Sequence, residues 1–89
     1  MTKQSITIVN KLGLHARAAA KFVTLASTFP CDVHVIRGTR SVNGKSIMAV
    51  MLLAAAKGTE LQIETRGEQE QDAMKALVTL INNRFGEAE

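Results

Sequence analysis

Apolar and polar residues follow two rhythms along this chain, one of period two and one of period three to four, and their succession predicts the elements. Ser5-Ile6-Thr7-Ile8-Val9 alternates as a half-buried strand does. A polar loop ending in glycine follows, Asn10-Lys11-Leu12-Gly13. Beyond it Ala19, Phe22, Val23 and Ala26 recur at i, i+3, i+4 and i+7, the buried stripe of an amphipathic helix. Cys31 opens a second strand, in which Val33 and Val35 point inward and His34 outward. Gly38-Thr39 reads as a turn, and Arg40-Ser41-Val42 as a short, polar edge strand. Ser46 to Leu53 reads as a short apolar helix, stopped by Ala54-Ala55-Ala56 and Lys57-Gly58. Thr59 to Thr65 alternates cleanly. Gly67 precedes a last helix whose acidic first turn, Glu68 to Asp72, complements the helix dipole. Its expected buried stripe is Ala73, Leu77, Leu80 and Ile81, with Arg84 near its end, and Gly86 to Glu89 is expected to fray.

The order β-α-β-β-α-β-α predicts an α+β open-faced sandwich: a four-stranded, mostly antiparallel sheet with three helices on one face. Ser5, Thr7, Asp32, His34, Gln62 and Glu64 would line the wet face. Residues 1–89 read as a single domain, without repeat, linker or low-complexity segment.

Composition narrows the function. The chain is 46% hydrophobic, enough for a packed core, but no run reaches the length of a membrane span and no signal-peptide core follows Met1. One cysteine forms no internal disulfide, so the expected setting is the cytoplasm and the expected role of Cys31 is a small, partly buried hydrophobe. A net charge of +3 with no Trp or Tyr, and with Phe22, Phe29 and Phe85 in or beside helices, offers no base-stacking sheet. Nucleic acid is therefore not an expected partner. Lys3, Lys11, Arg17, Lys21, Arg37, Arg40 and Lys45 crowd the first half and suit an acidic protein partner instead. Two distant histidines and one cysteine lack metal-ligand spacing, so no metal or cofactor is expected. His34, mid-strand with no glycine loop or arginine beside it, reads as an ordinary solvent-side residue.

The chemistry concentrates in Gly13-Leu14-His15-Ala16-Arg17-Ala18, where a strand and loop give way to a helix. A helix start offers unpaired amides and the positive end of the macrodipole, which favour anions such as phosphate. The same potential disfavours the charged form of a nearby imidazole. Arg17 is placed to close over an oxyanion by a forked hydrogen bond. In most chains a histidine at a helix start is an ordinary surface residue. Yet His15 stands where Ser, Thr, Asp or Asn would cap better, so something other than stability has selected it.

Gly13-Leu14-His15-Ala16-Arg17, followed by a helix, resembles the active-site signature of the histidine-containing phosphocarrier (HPr) family of the bacterial sugar phosphotransferase system. Asn43-Gly44-Lys45-Ser46-Ile47-Met48 is similar to that family's regulatory-serine segment at the expected distance. The resemblance covers essentially the whole chain. Ala18 departs from the proline the family commonly has there, which bears on loop rigidity and branch; alanine keeps the helix. Ala16 stands where a hydroxyl residue is frequent and offers only its backbone N–H.

The resemblance implies a stoichiometric phosphocarrier, not an enzyme. His15 would accept a phosphoryl group from phosphoenolpyruvate-charged enzyme I, in the family on the δ nitrogen. It would then pass the group to a histidine on a sugar-specific or regulatory acceptor protein. The amides of Ala16 and Arg17, with the Arg17 guanidinium, would stabilise the bound charge. Ser46 reads as an N-cap and, by resemblance, as the target of a serine kinase and phosphorylase. Met48 and either Met51 or Leu52 are expected to be exposed on the short helix, and methionine adapts to several partner surfaces. With Ile47, Arg17 and Lys21 they would form the partner patch of a monomer. One alternative is a nitrogen-related branch, in which the relay ends in regulation. A remoter one is an acylphosphatase-like enzyme with Arg17 as substrate ligand, which would need a second catalytic group near it.

Overall fold

A computed structural model describes residues 1–89. The elements follow in the order β1 (Thr2–Thr7), α1 (Ala16–Ala26), β2 (Asp32–Arg37), β3 (Arg40–Asn43), α2 (Ile47–Met51), β4 (Glu60–Arg66) and α3 (Glu70–Asn82), then a 3-10 turn at Arg84–Gly86. The strands form one sheet in the order β1-β4-β2-β3, antiparallel at every pairing. Alternation sends Ile6, Val33, Val35, Leu61 and Ile63 to one face. There they meet Ala18, Ala19, Phe22, Val23 and Ala26 of α1 and Ala73, Met74, Leu77 and Ile81 of α3 in a single core. The predicted open-faced sandwich is the observed one. His34 lies half-buried on the other face, where it pairs in register with Glu64.

Several boundaries shift: β1 runs Thr2–Thr7 and not Ser5–Val9, since its pairing with β4 ends at Thr7 opposite Glu60. Helix α2 is only Ile47–Met51, shorter than the expected Ser46–Leu53 span, because Ser46 caps it and Leu53 turns into the core. Helix α3 starts at Glu70, not within Glu68, because Gln69 takes the left-handed conformation at φ 64. Met74 rather than Leu80 fills the α3 stripe; Leu80 is only partly buried. Cys31 is buried immediately before β2, which begins at Asp32.

The C-terminal residues do not fray. Phe85 is fully buried, and the chain beyond it returns across the β1–α1 loop, where the Lys11 amide donates to the Glu89 carbonyl at 3.0 Å. One apolar anchor and a few tertiary hydrogen bonds order this segment, and neither has a periodic signature. No helix is long and apolar enough to cross a membrane.

Candidate functional site

The β1–α1 loop is built around Asn10 and Gly13. Asn10 is fully buried, and its Nδ2 donates to the Gly13 carbonyl at 2.8 Å. Gly13 takes φ +66, and a Cβ there would lie 2.4 Å from the Ala55 carbonyl oxygen. Only glycine meets both demands. The next amide, Leu14, donates to that same Ala55 carbonyl at 2.8 Å. The loop is thereby fastened to the segment after α2, and His15 emerges from a fixed base.

His15 occupies the N-cap of α1 with extended backbone, φ −71 and ψ 176, and its side chain makes no capping bond. Its carbonyl accepts from Ala19 at 2.9 Å, the first bond of the helix. The amides of Ala16, Arg17 and Ala18 have no acceptor within the protein. The unpaired amides of the first turn and the positive helix end therefore lie next to a partly exposed imidazole, a setting that favours anions. Arg17 projects into solvent and makes no hydrogen bond or ion pair, so its guanidinium is free to close over an incoming anion. A shallow, open cleft bounded by Lys11, Leu12, His15, Ala16 and Arg17 holds this chemistry.

The far wall of the cleft is the C-terminal segment, which sequence reasoning missed. Glu87 pairs one carboxylate oxygen with His15 Nε2 and the other with Asn10 Nδ2, the latter at 3.0 Å. These hydrogen bonds, from Asn10 first and His15 second, hold the Glu87 carboxyl below the usual carboxylate range. The available signal was Phe85, a large aromatic placed just past a helix and followed by glycine. Lys21 is exposed, as a partner-facing residue must be; its ammonium also donates to the Phe85 carbonyl at 2.7 Å and so holds this segment in place.

The second sequence-predicted cluster sits on α2. Ser46 Oγ accepts from the Ala49 amide at 3.3 Å, the expected N-cap. Met48 is 71% exposed and Leu52 58%, with Ile47 and Met51 at 42% and 38%, while Val50 is buried. Arg37 donates to the Leu53 carbonyl at 2.7 Å and so fixes the exit of α2. Helices α1 and α2 pack together, and the apolar patch and the His15 loop share the Ala55 connection.

A histidine at an exposed helix start, on the rim of an open-faced antiparallel sandwich, is the arrangement of a small phosphocarrier. The family model described as the PTS HPr component phosphorylation site matches residues 2–83. Phosphocarrier protein HPr of Pseudomonas aeruginosa is 64% identical, with 100% of each chain covered. A crystal structure of HPr from Thermoanaerobacter tengcongensis superposes with a TM-score of 0.96 at 44% identity and covers 100% of both chains. A structure of an HPr dimer from the same organism has a TM-score of 0.79 at 45% identity, covering 98% of this chain and 100% of the other. The chain belongs to the HPr family, the phosphocarriers of the phosphotransferase system. By that membership it is a carrier in a phosphotransfer chain and not a catalytic enzyme.

Proposed function

We propose that phosphorylated enzyme I transfers its phosphoryl group to a ring nitrogen of His15, and that the group then passes to a sugar-specific or regulatory acceptor protein in the cytoplasm. The observation that carries this reading is an accessible imidazole at the N-cap of a helix whose first amides, Ala16, Arg17 and Ala18, are unpaired. In such a transfer the new N–P bond forms as the bond to the donor breaks, and charge spreads over the three equatorial oxygens. Amides left free at the helix start break no protein bond to receive that charge, and the unpaired Arg17 guanidinium adds a forked donor. The site is open and offers few fixed donors, which favours onward release over retention.

The same reading assigns the exposed Ile47, Met48 and Met51 side chains, with Arg17, to partner docking by a monomeric carrier. Lys21, exposed on α1, belongs to the same patch and also anchors the C-terminal segment. Phosphorylation of Ser46 by a serine kinase would place a dianion at the start of α2, inside that patch. The effect would be repulsion of acidic partners without refolding, since a helix start tolerates an anion.

The test is transfer to a His15→Ala variant. With phosphoenolpyruvate and enzyme I the native chain gains one phosphoryl group and the variant gains none. Its unfolding free energy stays within about 1 kcal/mol of native, as for a partly exposed side chain outside the core. Undiminished phosphorylation of the variant contradicts the reading.

A further inference from the structure

The C-terminal segment reaches His15 through a succession of contacts from Arg84 to Glu87. Arg84 and Phe85 both take the left-handed conformation, at φ 55 and 54, and turn the chain back from the end of α3. Such backbone is strained for a residue other than glycine and persists only where its surroundings impose it. Here burial of the Phe85 ring and the Lys21 bond to its carbonyl impose it. Glu87 is then delivered onto Asn10 and His15 together.

The chemistry of the pair sets the state of the imidazole. Glu87 is ionised near neutrality, because its carboxyl is held below the usual range by Asn10 and His15. A carboxylate only accepts, so His15 Nε2 must carry the hydrogen. In a neutral imidazole the other nitrogen, Nδ1, then holds the lone pair, because the partner of one ring nitrogen selects the tautomer. We propose that Glu87 is the positioning residue of the transfer site: by accepting from His15 Nε2–H it fixes the ring and leaves Nδ1 as the nucleophile.

This inference rests on His15 being the phosphoryl acceptor and adds what prepares it. On acceptance the Nδ1 lone pair forms the N–P bond, while the bond to the donor breaks and its electron pair leaves with the donor. Nε2 keeps its hydrogen, so the ring becomes cationic and its charge faces the Glu87 carboxylate. On delivery the N–P bond breaks, its pair returns to Nδ1, and the neutral Nε2–H tautomer is restored. By holding the hydrogen on Nε2, the carboxylate lets the ring depart as neutral imidazole and not as imidazolate, which keeps the transfer reversible.

Nitrogen-15 spectra of the unphosphorylated ring, together with phosphorylation rates from enzyme I, test this in the native chain, Glu87→Gln and Glu87→Ala. The Nε2–H tautomer should dominate in the native chain and persist in Glu87→Gln, whose side-chain carbonyl still accepts. In Glu87→Ala the two tautomers should mix. The rate should fall about tenfold in Glu87→Ala, as on loss of a partner that orients a functional histidine, with partial rescue in Glu87→Gln. Equal tautomer populations in the native and Glu87→Ala chains, or equal rates, would overturn the proposal. If an active enzyme I phosphorylates none of the three, the acceptor reading fails, while the ring spectra still decide whether Glu87 selects the tautomer.

Discussion

At the residue scale, His15 draws its chemistry from bonds its neighbours leave unmade. A serine in its place would cap the helix and consume one of the amides that now face the cleft. Ser46 shows the opposite choice, with Oγ spent on the Ala49 amide. Ser46→Asp retains a good cap, so its stability should stay within about 0.5 kcal/mol of native, while Ser46→Ala should cost about 1 kcal/mol. Phosphoryl transfer to and from Ser46→Asp should slow if a negative charge there repels acidic partners; native rates would remove Ser46 from regulation. Glu70 gives a second residue-scale prediction. The chain's N-terminal amine first, then the Thr2 hydroxyl and the Gly67 amide, lower its pKa from 4.5 to about 2. A depressed carboxylate contributes stability that is fully present above the ordinary pKa and lost as acid protonates the folded form. Native stability should therefore fall between about pH 4.5 and pH 2, and Glu70→Gln should flatten that part of the curve measured by chemical denaturation.

At the scale of elements, periodicity carried most of the information. Strands β2 and β4 alternate so regularly that Val33, Val35, Leu61 and Ile63 were readable as core, and the 3.6-residue stripe of α1 was equally plain. Helix α2 was less legible, since an almost wholly apolar stretch does not mark its own ends. Its Ser46 cap and its exposed methionines were readable nonetheless. The C-terminal segment was illegible because its order comes from one buried ring and from hydrogen bonds to residues distant in sequence. Phe85→Ala should therefore cost about 3–5 kcal/mol in chemical denaturation, as for other buried aromatics. It should also release the segment, seen as faster amide exchange at Gly86, Glu87 and Lys11; a segment that stays protected would show that Phe85 is not its anchor.

At the scale of the molecule, one sheet face carries the core and both helix termini that matter stand together at its rim. The Gly13–Leu14 backbone rests on Ala55, so the transfer loop and the α2 patch are parts of one rigid surface. On the proposed docking patch of Ile47, Met48 and Met51, a partner would therefore meet His15 in a fixed relation, with the unpaired Arg17 side chain free to move. Most of this was foreseeable from the Gly13–Ala18 and Asn43–Met48 segments; the Glu87 wall was not. The most direct measurement is the intact mass of the chain after incubation with phosphoenolpyruvate and enzyme I, followed by fragment mapping. A single acid-labile phosphoryl group located on His15 is the predicted result. No added mass beside an active enzyme I control, or a phosphoryl group on another residue, would contradict the account.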